Sequence, residues 1–320
     1  MEHAHNHRID RLRLLCCFGV VLLHSTYGSD IGQVLLNTIF RFSVPVFVII
    51  SGYFLLSSSF SRPWNKIFRL FLKMLLCSGG YMLYSFWKSG AFPAQPIVRL
   101  LTEPIHLWYL YATMGLYLLT PALLPFVRSA DEKEYRYALA LCFALGSCVV
   151  TLVRLNWIPL LAVILDKSKM PDMLGFTGLY LLGGYFRKFG IGPRRRWLMI
   201  WALSTAIGIG VSGSPYAEHL LGFLSPIVTI SSCACFAVFM SLPEPSERIQ
   251  RPLRSAAACT MGVYLFHMLV SDLITPIIWP AYQMIGGAAF MLLRAMCVFS
   301  GTMFTVWLLR KIPILKKWML

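Results

Sequence analysis

Apolar residues in this chain are gathered into long segments, with polar and charged residues, Gly and Pro collected between them. A run of about twenty apolar residues is the length that an α-helix needs to cross a bilayer. The pattern therefore predicts an all-α, polytopic membrane bundle of about ten transmembrane helices. The predicted spans are residues 11–27, 34–57, 66–87, 105–127, 137–157, 172–189, 197–213, 220–242, 257–278 and 287–309.

Composition supports a membrane protein and excludes an ordinary soluble domain. Hydrophobic residues make up 58% of the 320 residues and charged residues only 13%, with a mean hydropathy of +0.67. Soluble domains carry about 25% charged residues. No connection between apolar segments is long enough to fold independently. We therefore expect one integral-membrane domain over residues 1–320.

The net charge of +16 is explained by its distribution along the chain. If the connections between spans are numbered alternately, one set and its flanking turns hold 22 of the 29 Lys and Arg residues. Cytoplasmic connections of membrane proteins carry this excess of cations. The pattern predicts that both termini are cytoplasmic, in a multi-pass protein of the cell membrane. The positive charge then reflects topology, and a nucleic-acid partner is not expected.

Arg13 and His24 stand at the two ends of the first apolar stretch, with ten residues between them. Eleven helical steps of about 100° complete just over three turns, so both side chains are predicted on one helix face. At about 1.5 Å per residue they are separated by roughly 16 Å along the axis. This spacing can place a cation for an anionic ligand at one depth and a proton acceptor at another.

Other polar residues are predicted inside the membrane. A charge there costs about 2.5–3.5 kcal/mol, so each such residue needs a partner or a wet cavity. One shared pocket explains them together, with an imidazole accepting a proton and a cation stabilising an oxyanion. Singly, His267 is equally explained by packing, Arg41 by snorkelling and His106 by an interfacial position. The set is His24, Arg41, His106, Asp272 and Arg294, with Tyr264 and His267 nearer the midplane.

Near the predicted cytoplasmic edge, cations recur at helical spacing. Arg62, Lys66, Arg69 and Lys73 form one stripe if the helix begins early. Such a stripe suits a polyanion such as coenzyme A, with its pyrophosphate and 3′-phosphate. Cations that snorkel to lipid headgroups explain the same spacing. Asp10 lies at the same predicted depth as Arg13.

We predict no metal site. The nine cysteines all lie in predicted spans and form no CxxC pair. His3, His5 and His7 could hold a metal, but no further ligand accompanies them in the sequence. They are interpreted as part of a short cytoplasmic tail.

Several motifs together resemble the membrane acyltransferase-3 family. They are Arg8-Ile-Asp-Arg-Leu-Arg13 followed by His24, Arg41-Phe-Ser-Val-Pro-Val-Phe47, Ser51-Gly-Tyr-Phe-Leu55, Lys66-Ile-Phe-Arg69, His106-Leu-Trp-Tyr-Leu110 and Gly262-Val-Tyr-Leu-Phe-His267. The resemblance implies bacterial O-acyl, usually O-acetyl, transfer across the cytoplasmic membrane. It implies cytoplasmic acetyl-CoA as donor and the hydroxyl of an extracytoplasmic or lipid-linked glycan as acceptor.

The family's Arg-x10-His motif falls on Arg13 and His24, and its basic pair falls on Lys66 and Arg69. Two departures are that Lys66 stands where Arg is usual and Arg11 where Gly is frequent. We expect His24, Arg41, His106, His267 and Asp272 to be catalytic, and Arg13, Lys66, Arg69, Asp10 and Lys73 to bind the acyl-CoA. The alternative is a transport or sensing module, because the membrane half of certain vancomycin-resistance serine racemases resembles the same family and is associated with serine uptake.

Overall fold

The structure is a computed structural model, and it describes residues 5–28, 30–57, 63–91, 96–102, 105–155, 163, 170–313 and 315. Every regular element in this part of the chain is helical, as predicted. The principal helices are α1 (His7–Leu23), α2 (Ile31–Phe40), α3 (Ser43–Leu55), α4 (Trp64–Ser89), α5 (Pro96–Thr102), α6 (Trp108–Ser129), α7 (Glu132–Arg154), α8 (Met170–Phe189), α9 (Arg194–Val211), α10 (Pro226–Met240), α11 (Glu247–Ala257), α12 (Thr260–Ile278) and α13 (Gly287–Leu309).

Six helical segments within the described residues are long and apolar enough to cross a membrane, which makes this a multi-pass membrane protein. They are Ile31–Leu55, Trp64–Ser89, Trp108–Ser129, Glu132–Arg154, Thr260–Ala281 and Gly287–Leu309. The other four predicted spans also contain helices, namely α1, α8, α9 and α10. Of these, α1 has 17 residues, the lower end of the usual range for a membrane span, and α10 has 15. The total of ten spans stays a prediction.

The predicted span 34–57 is broken in the middle. Helix α2 ends at Phe40, and α3 starts at Ser43 with Pro45 in its first turn, where the missing N–H of proline costs no hydrogen bond. Arg41 stands at this break and donates its backbone N–H to the carbonyl of Thr38 at 3.4 Å. The interruption therefore places a charged side chain between two apolar half-helices.

Helix α1 lies in the centre of the bundle. Its Cys16 belongs to a core cluster shared with α3, α8 and α10, whereas Cys17 and Val21 belong to a second cluster with α12 and α13. Asn6 caps the helix, since its side chain accepts from the backbone N–H groups of Arg8 and Ile9. Because α1 is enclosed by other helices, its polar residues must face protein or an internal cavity.

Helices α3 and α8 approach each other so closely that glycines stand where their backbones meet. A Cβ on Gly52 would overlap the carbonyl oxygen of Tyr180, and a Cβ on Gly183 would overlap that of Ile49. Small residues permit such close packing between membrane helices. The two glycines therefore set the distance between α3 and α8. Helix α3 forms part of the wall of the cavity described below.

Helix α11, which the apolar pattern leaves as a connection, is amphipathic and mostly exposed. Its cations are Arg248, Arg251 and Arg254. It packs against α1, and its last residue, Ala257, reaches the central cavity. Sequence reasoning missed it because its apolar positions are too few to form a span.

Candidate active site

A cavity of about 600 Å³ lies beside α1 and is bounded mainly by α2, α3, α6 and α12. Its volume is within the range of small-molecule sites. Apolar side chains make most of the wall, and polar groups converge on it from several helices. The polar lining residues are Arg13, His24, Asn37, Arg41, Ser51, His106, Tyr109, Thr113, Tyr117, Thr260, Tyr264 and His267.

Arg13 and His24 both line this cavity, with Cys17, Val20 and Val21 between them on the same side of α1. This is the arrangement that their spacing predicts. His24 caps the C-terminus of the helix, where the chain leaves helical geometry, and its exposed surface faces the cavity. One helix therefore presents a guanidinium and an imidazole to the same space at two depths.

Three imidazoles meet in the cavity, although they come from distant parts of the sequence. The ring centroids of His24 and His267 are 5.2 Å apart, those of His106 and His267 5.1 Å, and those of His24 and His106 6.4 Å. His106 and His267 are buried, with 6% and 1% of their surface exposed. The structure thus brings together three of the five residues expected to be catalytic, and a fourth, Arg41, lines the same cavity.

Hydrogen bonds determine the tautomer of His267. Its Nδ1 lies 2.8 Å from the carbonyl oxygen of Tyr264 and 3.2 Å from that of Val263. A carbonyl can only accept, so Nδ1 carries a proton. In the neutral ring Nε2 is then an acceptor, and it is buried without a hydrogen-bond partner among the described residues. A buried polar atom without a partner is costly, which indicates a ligand group or water at this point.

Arg13 makes no ion pair with any described carboxylate. Its guanidinium lies 5.5 Å from the ring centroid of Phe54, and Tyr109 and Tyr117 line the same part of the cavity. Asp10, one turn earlier, acts on it only from a longer distance and is hydrogen-bonded to His5, so a further anion would compensate the loss of hydration. The cavity therefore has the electrostatic character of an anion site at this end.

Arg294 supports the site from behind the cavity wall. It is 7% exposed and donates to Ser271 Oγ at 2.7 Å and to Thr275 Oγ1 at 3.0 Å, both on α12. It also donates to the backbone carbonyl of His24 at 3.4 Å. A cation at the C-terminal end of α1 stabilises the helix, because the last carbonyl groups carry partial negative charge. The sequence analysis places Arg294 among the pocket residues. In the structure it lies outside the cavity lining, and its hydrogen bonds connect α12 and α13 to His24.

Two acidic residues expected in the site lie elsewhere. Asp272 is half exposed and pairs with Lys88 at 3.7 Å, outside the cavity lining. Asp10 is buried, and its carboxylate accepts from His5 at 2.6 Å and lies 3.3 Å from His7. The expectation that the tail histidines lack a further ligand is corrected, because these three residues bring possible metal-binding atoms within 4.8 Å of one another.

The basic stripe on α4 does not line the cavity either. Lys66 and Arg69 are exposed, Lys73 is half-buried, and Arg62 lies outside the described residues. Leu70 on the same helix does reach the cavity. Lys66 is four residues before it and Lys73 three after, so both share its helix face and flank the cavity rather than enter it.

Sequence reasoning missed several residues that shape the site. Tyr81 on α4 lies 5.3 Å from His106, ring to ring, and donates its hydroxyl to the carbonyl of Leu265 at 3.1 Å. Trp108 and Phe223 stack at 5.9 Å beside the cavity. Aromatic residues in an apolar span give no local signal that separates a cavity wall from a core.

The chain matches a known protein family. The acyltransferase-3 family model, described as an acyltransferase domain, matches residues 6–311. No curated protein and no solved structure matches the chain. Since the match spans nearly the whole chain and includes every helix that lines the cavity, the protein belongs to the acyltransferase-3 family and is a membrane acyltransferase.

Proposed function

We propose that the protein is an O-acyltransferase, most directly an O-acetyltransferase, that moves an acyl group from cytoplasmic acyl-CoA to a hydroxyl of an extracytoplasmic or lipid-linked glycan. The observation that carries this proposal is the single cavity lined by Arg13 at one level and His24 about 16 Å along the same helix. That separation suits a long donor with an anionic head and a reactive end.

The proposed topology has ten membrane helices with both termini cytoplasmic, in a bacterial cytoplasmic membrane. Alternation of cations supports it, because 22 of the 29 Lys and Arg residues belong to one alternate set of connections and its flanking turns. Arg13 is then near the cytoplasmic surface and His24 past the midplane. The donor enters from the Arg13 end, and the acceptor meets it near the three histidines.

Phosphate groups of the donor are proposed to contact Arg13 inside the cavity and the α4 cations outside it. Lys66 and Lys73 flank Leu70, which lines the cavity, and Arg69 is exposed beside them. Cations and phosphates form strong charge-assisted hydrogen bonds. Asp10 is committed to His5 and His7 and is assigned no donor contact.

His24 is proposed to carry the proton transfer. Its neutral imidazole takes the proton of the acceptor hydroxyl as that oxygen attacks the thioester carbon, and the C–S bond then breaks. The leaving thiolate receives the same proton from the imidazolium, so that an ester and a thiol result. Nε2 of His267, which has no partner among the described residues, can accept a hydrogen bond from a neighbouring hydroxyl of the acceptor and so orient it. His106 lies within reach of the same space to donate to the oxyanion.

Donor binding gives the direct test against a serine transporter. We expect saturable binding of acetyl-CoA, measured by isothermal titration with detergent-purified protein, and no saturable binding of serine. Arg13→Ala should weaken acetyl-CoA binding by about tenfold to hundredfold, because a buried charge-assisted contact contributes about 1.5–3 kcal/mol. Arg196→Ala, which removes an exposed cation of α9, is the control and should bind normally. Serine binding without acetyl-CoA binding would contradict the proposal.

Arg294 is expected to act as a positioning residue. Arg294→Met should lower kcat by about tenfold to hundredfold, because small displacements of a catalytic group have effects of this size. The affinity for acetyl-CoA should be unchanged, since Arg294 does not line the cavity. Arg294→Lys keeps the charge but loses the forked contact to Ser271 and Thr275, and should recover activity only in part. A loss of donor affinity equal to the loss of kcat would contradict this role.

A further inference from the structure

The cavity holds a second guanidinium that the donor does not explain. Arg41 lines it from the break between α2 and α3, and its Nε is buried without a hydrogen-bond partner in the described part of the chain. Arg41 forms no ion pair with a described carboxylate, and exposed Glu218 acts on it only from a longer distance. Like Arg13, Arg41 therefore has no contacting anion among the described residues, and a bound anionic group would compensate its charge.

Arg41 and Arg13 lie at different levels of the cavity. Asn37, one turn before Arg41, donates to Thr26 Oγ1 at 3.3 Å, and Ser43, just after it, lies against Gly19. Arg41 is therefore level with the last turn of α1, between Gly19 and Leu23, roughly 12 Å along the axis from Arg13. This separation of the two backbone positions favours a different anionic group for each cation.

Aromatic rings accompany Arg41. Its Cζ lies 5.6 Å from the ring centroid of Phe223, and Phe223 stacks on Trp108 at 5.9 Å with an interplanar angle of 27°. Trp108 is 36% exposed, and both aromatic residues line the cavity. A flat aromatic wall beside polar groups suits the C–H face of a sugar ring. Asn37 lines the same cavity, and its amide has an oxygen and a second N–H besides the N–H that it donates to Thr26.

We infer that this part of the cavity is an acceptor subsite for an acidic glycan, whose carboxylate or phosphate pairs with Arg41 and whose sugar ring lies against Trp108 and Phe223. The inference rests on the proposed function and narrows its acceptor class. The acceptor hydroxyl would then lie near the three histidines, at the end of the cavity away from Arg13. A neutral glycan would leave the Arg41 guanidinium without a contacting anion among the described residues.

Isothermal titration of full-length protein in detergent with small glycosides tests the inference. The probes are methyl β-D-glucuronide for a carboxylate, α-D-glucosyl phosphate for a phosphate, and methyl β-D-glucoside as the neutral control. We expect at least one acidic probe to bind about tenfold to hundredfold more tightly than the neutral one. The preferred acidic probe identifies which anion the subsite takes.

Variants separate this inference from the proposed function. Arg41→Gln should abolish the preference for the acidic probe and leave acetyl-CoA binding unchanged, whereas Arg196→Gln should change neither. Trp108→Leu should weaken acidic and neutral probes alike. Equal affinities of all probes, or no saturable binding of either acidic probe, would overturn the inference while leaving donor binding intact. Loss of acetyl-CoA binding in Arg41→Gln would also overturn it, because Arg41 would then belong to the donor site.

Discussion

Replacing His24 by alanine is expected to lower acyl transfer by about a hundredfold to ten-thousandfold, the range that general acid–base groups contribute. The physical reason is that neither of the other two histidines that line the cavity, His106 and His267, is as exposed to it. His267 is 1% exposed and its Nδ1 is held by two carbonyls, whereas His24 exposes its ring to the cavity at the end of α1. The measurement is acetyl incorporation into cell-surface glycan, together with thiol release from acetyl-CoA by the purified protein.

His219→Ala is the matched control, since His219 is a half-buried histidine that does not line the cavity. It should transfer acetyl groups at the wild-type rate. His24→Ala should still bind acetyl-CoA, because Arg13 remains in place. Wild-type transfer by His24→Ala at equal expression would refute the catalytic assignment.

The second large effect concerns stability. Gly52→Ala is expected to destabilise the protein by about 1–3 kcal/mol or more, the cost of inserting a methyl group into a packed interior. The added Cβ would overlap the backbone carbonyl of Tyr180, which cannot rotate away as a side chain could. Helices α3 and α8 would separate, and Phe47 and Ser51 on α3 would shift with the cavity wall. Thermal denaturation in detergent, with monodispersity by size exclusion, measures the effect.

Gly80→Ala makes the same chemical change in another helix and serves as its control. Gly80 is exposed on α4, and a Cβ there meets no atom within 4 Å. Its melting temperature should equal that of the wild type or rise slightly, because alanine favours the helix over glycine. Equal stability of the two variants would mean that α3 and α8 are not in close contact.

Local patterns were sufficient for the helical class of the fold. Apolar runs predict membrane helices because a residue's preference for an apolar environment over water depends on its own side chain and its near neighbours. The break at Arg41 was not predicted, although Pro45 marks it. Helix α11 was missed as well, since an amphipathic helix with few apolar positions does not resemble a span. The number of membrane crossings depends on the length and tilt of each helix, which composition does not determine.

For the site, one helix was enough to relate Arg13 to His24, because 100° per residue fixes which side chains share a face. The same reasoning could not assign Asp272 or Asp10, whose partners Lys88 and His5 are set by packing and by the local course of the chain. It placed Arg294 in the pocket, although hydrogen bonds to α12 hold that side chain behind it.

By itself, the sequence determined that this is a helical membrane protein of the acyltransferase-3 family with an arginine and a histidine on one face of its first helix. Only the tertiary structure decided that His24, His106 and His267 meet, that Arg41 shares their cavity, and that the α4 cations remain outside it. The reason is physical. Periodicity fixes directions within one helix, whereas distances between helices depend on how closely residues such as Gly52 and Gly183 let distant backbones approach.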